Sequence, residues 1–277
     1  VIDASEALKE WKVFLDDAME VGRQAARERA RAVTESMLER RIKEREKEVR
    51  PSFRRAVTRG DGPVKVISEI KRTSPVAGVI RLSADVGDMA RRYERSGASA
   101  ISVLTSEFGF GGRPEDLLDA ARSCALPLLR KDFISLGYQV LEARAYGASA
   151  VLLISEALDA KEIETLSGLA FDLGMDALVE AHSRPGVARA LAAGSRLIGI
   201  NNRDLSTLQV DIQTTERLRS FVPDSITLVS ESGIRTREEF DRVASLGVDA
   251  VLIGEALMKA PDPGKRLQEL AGLDGEF

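Results

Sequence analysis

The chain has 277 residues, a net charge of −4, 44% apolar residues, one cysteine and one histidine. That composition supports a full hydrophobic core, excludes disorder as the main state, a cysteine-rich zinc site and an intrachain disulfide framework, and argues against a His-based zinc or haem centre. The acidic balance and interleaved charges argue against a nucleic-acid or membrane surface, no apolar run approaches the ~20 residues that cross a bilayer, and the acidic start of the chain predicts no secretory leader. The expectation is a cytoplasmic protein.

Residues 5 to about 59 are rich in Ala, Glu, Arg, Lys and Met, with Gly22 the single glycine before Gly60 and no proline before Pro51, which is the composition of long helices. Val21, Ala25, Val33, Met37 and Leu38 recur at helical spacing without a sustained heptad. The charged run Glu39 to Arg50 reads as a solvent-facing helix. Two helices packed on the remainder are expected rather than an independent domain, with an extension over 1–59 packing on a catalytic domain over 60–277.

From Gly60 onward, short β-branched runs alternate with amphipathic stretches. The runs are Val64–Ile70, Ala100–Leu104, Leu126–Leu129, Ala150–Ile154, Ala177–Val179, Leu197–Ile200, Ile226–Val229 and Ala250–Ile253. Continuous apolar character marks strands covered on both faces. Helices are predicted over Ala84–Ser96, Pro114–Ser123, Tyr138–Tyr146, Ala160–Asp172, Arg184–Ala193 and Thr236–Leu246, and Gly97, Gly147, Gly174, Gly194 and Gly247 stand where a left-handed C-terminal cap is wanted. The phrases Ser96-Gly-Ala-Ser-Ala, Tyr146-Gly-Ala-Ser-Ala and Leu246-Gly-Val-Asp-Ala repeat the unit. The reading is α/β, a (β/α)8 TIM barrel with an N-terminal helical extension; a doubly wound sheet lacks its Gly-x-Gly-x-x-Gly after the first strand.

In such a barrel the chemistry lies at the C-terminal strand ends. Those ends carry Glu69, Lys71, Arg72 and Ser74; Lys131 and Asp132; Glu180; Asn201, Asn202, Arg203 and Asp204; Glu231, Ser232 and Gly233; and Gly254 with Glu255. Any one of these could serve only as a cap or an ion-pair partner, but together they would converge cations and carboxylates on one mouth. A lysine in a desolvated, cation-crowded mouth is expected to have its pKa lowered toward the working range, with a neighbouring carboxylate opposing that shift. Arg203 suits forked recognition of a carboxylate. Gly233 and Gly254 allow backbone N–H groups to approach a phosphate, with a short helix from Glu255 to Lys259 behind them. The inferred ligand is a phosphorylated carboxylic acid. His182 and Cys124 read as structural, and Phe108, Phe110 and Phe133 are candidates for an apolar wall around an aromatic substrate.

Six segments, Glu69-Ile-Lys-Arg-Thr-Ser-Pro, Leu129-Arg-Lys-Asp-Phe-Ile, Ala177-Leu-Val-Glu-Ala-His, Gly199-Ile-Asn-Asn-Arg-Asp-Leu, Val229-Ser-Glu-Ser-Gly-Ile and Leu252-Ile-Gly-Glu-Ala-Leu-Met, resemble in order and spacing the indole-3-glycerol phosphate synthase family, over about residues 52 to 260. The resemblance implies conversion of 1-(2-carboxyphenylamino)-1-deoxyribulose 5-phosphate to indole-3-glycerol phosphate, with loss of carbon dioxide and water and with no cofactor or metal. It implies Lys131 as general acid, Lys71 as holder of the aryl carboxylate and second acid, Glu180 as proton shuttle, Asn201 orienting it, and Glu69 in a network with the lysines. Arg203 would meet the substrate carboxylate region, and Glu231 and Ser232 substrate hydroxyls. Ser74, Gly233, Gly254 and Glu255 fall at the phosphate end, and Phe110 and Phe133 on the apolar wall. The partner is then a small phosphorylated molecule, handled as a monomer or beside other tryptophan-pathway enzymes.

The sequence departs from the family's pattern at Val76, where a hydroxyl donor near the phosphate side is expected to be missing, at Ser106 and Gly109, where wall shape and loop rigidity are expected to differ, and in the charged Arg27–Arg50 segment, where substrate closure is expected to differ. Competing readings are another phosphosugar barrel such as phosphoribosylanthranilate isomerase, whose strand-end cysteine Cys124 does not match, and a catalytically idle paralogue used for binding or assembly.

Overall fold

In the computed structural model the described residues are 4–45, 51–203 and 209–273. The N-terminal helices are α1 (Ala4–Ala32), α2 (Glu35–Glu44) and α3 (Phe53–Val57). The barrel opens with β1 (Lys65–Ile70), followed by a small hairpin of β2 (Thr73–Ser74) and β3 (Gly78–Val79). Then come α4 (Val86–Arg95), β4 (Ala100–Leu104), α5 (Glu115–Ser123), β5 (Leu128–Lys131), α6 (Gly137–Ala145), β6 (Ala150–Ile154), α7 (Ala160–Asp172), β7 (Asp176–Ala181) and α8 (Arg184–Ala192). The chain continues through β8 (Leu197–Asn201), α9 (Gln213–Arg219), β9 (Thr227–Glu231), α10 (Arg237–Ser245), β10 (Ala250–Ile253), α11 (Glu255–Met258) and α12 (Pro263–Ala271).

The apolar runs become the staves of a closed barrel in the order β1-β10-β9-β8-β7-β6-β5-β4, and each neighbouring pair is parallel. Closure leaves no sheet edge, and helices cover the outer faces, so β4, β6, β8, β9 and β10 are buried along their whole length. The predicted C-cap glycines all adopt positive φ, from 74° at Gly174 and Gly194 to 94° at Gly147. That conformation costs little without a Cβ. The β2–β3 hairpin, α9 and α12 extend the predicted element list.

The floor of the barrel is closed by α3. Phe53 and Val57 are fully buried, and polar contacts tie the segment to the N-terminal strand ends. Ser52 Oγ donates to Asp176 at 2.9 Å, the Thr58 and Thr227 hydroxyls lie 2.8 Å apart, and the Arg59 N–H meets Asp249 at 3.1 Å.

The described part of the charged run, 39–45, faces solvent as expected, with no buried residue, while apolar positions before it pack on the barrel. Leu38 of α2 is buried with Ala26 of α1 against Tyr138 and Ala145, and the Tyr138 hydroxyl donates to the Val33 carbonyl at 3.0 Å. Residues 46–50 of the predicted charged run lie outside the described residues. Arg29 of α1 forks onto Glu142 of α6 at 2.7 and 2.9 Å. Glu142 also pairs with the fully buried Arg130 at 2.8 Å. Charge thus runs from α1 to the strand that ends in Lys131.

Removing one member of such a group leaves a buried carboxylate short of a partner. Arg29 is partly exposed, so Arg29→Ala is expected to lower the unfolding free energy by about 1–3 kcal/mol rather than the larger penalty of a fully buried pair. Urea denaturation measures it, and a loss below ~0.5 kcal/mol would place the contact with ordinary surface pairs.

Candidate active site

The strand register brings the chemistry to one end. Lys131 closes β5, Glu180 lies near the end of β7, Asn201 closes β8 and Glu231 closes β9, with Asn201 and Glu231 paired across the ladder. The Lys131 ammonium donates to Glu180 Oε2 at 2.8 Å and to Glu231 Oε2 at 2.7 Å. Asn201 Nδ2 donates to the other Glu180 oxygen at 3.1 Å. Beside this group Lys71 and Glu69 form a second pair at 2.6 Å.

The electrostatics correct one expectation. Burial alone would lower the Lys131 pKa, but Glu180, Glu231 and Glu69 surround the ammonium and hold it above its ordinary value. The mouth is crowded by carboxylates rather than cations at this point, so the lysine stays charged. Between the two acids the balance splits. Burial raises both, yet contact with Lys131 and Asn201 keeps Glu180 below the usual carboxylate range. Glu231 is pushed up to about 8 by burial, which outweighs Lys131, with help from the Glu180 charge.

Two glycines make room for these acids. A Cβ at Gly199 on β8 would collide with the Glu231 carboxylate, and one at Gly254 with the Glu69 carboxylate. Gly254 thus clears space for an acid as well as exposing its backbone.

Arg203 follows β8 and forms a bridge with Val210. Burial lowers its pKa, partly offset by Glu255. Its backbone N–H donates to Asn201 Oδ1 at 3.0 Å, linking it to the Glu180 side. Asp204 lies outside the described residues.

Ser74, Ser232, Gly233, Gly254 and Glu255 line the same mouth. Ser232 is the one described non-glycine residue with positive φ, at 66°, and Gly233 follows at 94°. Left-handed backbone at a non-glycine residue costs energy, of order 1–3 kcal/mol, and tends to persist where function uses it. The Ser74 hydroxyl accepts from the Val76 and Ala77 N–H groups at 3.3 Å each. The Glu255 carboxylate turns to Lys259 at 2.7 Å, which with its burial partly opposing leaves it below its ordinary pKa.

The opposite side is apolar. Phe110 and Phe133 face each other with centroids 6.4 Å apart, tilted by 41°. Leu15 of α1 joins the lining, so the N-terminal helix reaches the mouth. Phe108 is not among the lining residues.

Several strand-end residues turn elsewhere. Arg72 is held by Asp116 at 2.5 and 2.9 Å, and Asn202 is spent on Ser230, Ser232 and Thr215. Cys124 caps α5, and the His182 ring stands 3.5 Å from Glu156. Sequence reasoning missed Arg235 and Leu15. Arg235 had a signal, lying two positions beyond Gly233 after a strand end; Leu15 had none, since nothing local to α1 says which strand ends it will cross.

A family model described as indole-3-glycerol phosphate synthase matches residues 15–270. An indole-3-glycerol phosphate synthase of Dehalococcoides mccartyi (strain CBDB1) is 48% identical over 210 residues, 75% of this chain and 81% of the relative. One from Carboxydothermus hydrogenoformans is 48% identical over 222 residues, covering 79% and 84%. One from Opitutus terrae is 47% identical over 224 residues, covering 79% and 84%. Among solved structures, 3-hexulose-6-phosphate synthase from Salmonella typhimurium superposes with a TM-score of 0.62 at 14% identity, over 76% of this chain and 98% of that one. Thiamine phosphate pyrophosphorylase from Pyrococcus furiosus gives 0.56 at 20%, over 76% and 94%. At those identities the structures speak for the barrel alone. The sequence matches go further: this chain belongs to the indole-3-glycerol phosphate synthase family.

Proposed function

We propose that the chain catalyses closure of the indole ring, turning 1-(2-carboxyphenylamino)-1-deoxyribulose 5-phosphate into indole-3-glycerol phosphate, carbon dioxide and water. The observation that carries the residue roles is the Lys131 ammonium held between Glu180 and Glu231 at 2.8 and 2.7 Å. A charged, buried donor beside an ionised acid and a protonated one can give and recover protons without bulk water.

In this reading the substrate ring lies between Phe110 and Phe133, and its phosphate meets the backbone of Gly233 and Gly254 with Ser74 and Glu255 alongside. Lys71, steadied by Glu69, and Arg203 take the aryl carboxylate. The ring carbon bearing that carboxylate attacks the sugar carbonyl while Lys131 gives a proton to the carbonyl oxygen. Loss of carbon dioxide restores the aromatic ring. The new hydroxyl then leaves as water, protonated by an acid of the Lys131 and Lys71 pair. Glu180, oriented by Asn201, accepts the proton released as the double bond forms. Glu231 and Ser232 hold substrate hydroxyls.

We divide the chain into a helical extension over 1–59 that packs on the barrel and a catalytic barrel over 60–277, a division supported by Leu15 in the lining and by the Arg29 contact with Glu142. The net charge of −4 argues against nucleic acid as the partner, and the Gly233 and Gly254 backbone in the lining supports a small phosphorylated one. Among the described residues no helix is long and apolar enough to cross a membrane. We place the reaction in the cytoplasm, carried out by a monomer or beside other enzymes of tryptophan synthesis.

Lys131→Ala is expected to lower kcat by a hundredfold or more, the size of a lost general acid, with circular dichroism unchanged; appearance of indole fluorescence at a near-normal rate would sink the assignment. The pH profile tests the neighbours. Glu231 titrates near 8 in the folded chain against an ordinary 4.5, so it is protonated below about pH 8 and stability contributed by that proton falls as pH rises from about 4.5 to about 8. Once ionised, it holds the Lys131 proton more tightly and weakens the acid. kcat/KM should therefore decline above about pH 8, and Glu231→Gln, which stays neutral, should lose that limb; an unchanged limb would assign it to another group.

A further inference from the structure

Phe133 is held by both of its peptide groups. Its N–H donates to Asp132 Oδ1 at 2.9 Å, and its carbonyl accepts from Gln139 Nε2 at 2.9 Å. Gln139 is 1% exposed and lies on α6, outside the mouth. Its side-chain oxygen is used as well, accepting from the Ser135 and Leu136 N–H groups at 2.9 and 3.1 Å. One buried amide therefore fastens the turn after β5 to the first turn of α6.

The same point is braced from behind. Asp132 Oδ2 accepts from Thr105 at 2.7 Å and from Arg130 at 2.9 and 3.2 Å, while Arg130 also donates to the Gln139 carbonyl at 2.9 Å. From the other side α1 presses on Phe133, where a Cβ on Gly22 would stand 3.1 Å from the Phe133 carbonyl oxygen.

We propose that Gln139 is a positioning residue for the aromatic end of the substrate: by clamping the Phe133 peptide with Asp132, it fixes the plane of the ring that closes the apolar wall with Phe110. The proposal rests on the synthase reading, because it presumes an aryl group between those rings. Without Gln139 the Phe133 carbonyl loses its donor while Asp132 still holds the N–H, so the ring is less firmly set and binding must supply part of the ordering that the fold now provides.

Two variants separate the clamp from helix capping. Gln139→Met loses every side-chain hydrogen bond. Gln139→Glu keeps the acceptors for Ser135 and Leu136 but loses the donor to Phe133. Calorimetry would measure two probes on each: the ribityl analogue of the substrate, whose sugar carbonyl is reduced, and glycerol 3-phosphate, which has no ring. Both variants should bind the ribityl analogue about tenfold more weakly, about 1.4 kcal/mol, with KM rising alike, kcat within about threefold and glycerol 3-phosphate affinity unchanged. Wild-type affinity for the ribityl analogue in Gln139→Glu would overturn the proposal, leaving a cap only, and so would equal weakening of both probes.

Gly22→Ala, which suits a helix but crowds the Phe133 carbonyl, should weaken the ring-bearing probe alone and keeps the test available if neither Gln139 variant folds; unchanged affinity there would count against the clamp. Wild-type protein that binds both probes yet makes no indole would fail the synthase reading while leaving the two affinities to judge the clamp.

Discussion

A lysine ammonium with two carboxylates in a desolvated pocket is an arrangement that folding opposes unless the charges find partners, and Lys131 with Glu180 and Glu231 meets that condition only because three non-adjacent strands, β5, β7 and β9, point into one mouth. The closed parallel barrel supplies the adjacency. It also demands small residues where the acids point inward, which is why Gly199 faces Glu231 and Gly254 faces Glu69. Charge balance sets the protonation states: one cation cannot hold two buried acids fully ionised, so Glu180 keeps its charge and Glu231 keeps its proton.

Around that centre the mouth is divided by chemistry. On one side aromatic and aliphatic side chains from β5, the β4 loop and α1 form a wall. On the other, left-handed backbone at Ser232 and Gly233 and the turn at Gly254 present main-chain groups. The charged side chains lie between. A substrate with a ring, a carboxylate and a phosphate spaced along one chain fits that order.

The support for the site reaches well outside it. Arg130 and Asp132 flank Lys131 in sequence; Asp132 borders the mouth, and both belong to a buried ion group completed by Glu142 and Arg29. Helix α1, which reaches the mouth through Leu15, is therefore anchored to the strand that ends in Lys131. At the far end α3 closes the floor with Phe53 and Val57, where contacts serve stability and no chemistry is exposed.

Much of this was legible in the residues themselves. Continuous apolar runs, glycine caps and repeated turn phrases specify eight parallel staves, because period and length distinguish strands from helices locally. Polar residues placed just beyond those runs mark the mouth, so Lys71, Lys131, Glu180 and Glu231 could be named without coordinates. What local pattern could not carry was partnership. Arg72 and Asn202 sit at strand ends as Lys71 and Asn201 do, yet they face Asp116 and Thr215, since the direction of a side chain past the last ladder bond depends on neighbours far along the chain. The same holds for Leu15 in the lining and for Arg29, one of many arginines in a charged helix, which meets a carboxylate 113 residues away. Element type and the positions of the strand ends were thus settled by the sequence, through short-range periodicity. Which ends face one another, and so which lysine stays charged and which glutamate keeps its proton, was decided by barrel closure, because burial and Coulomb balance exist only after distant segments have packed.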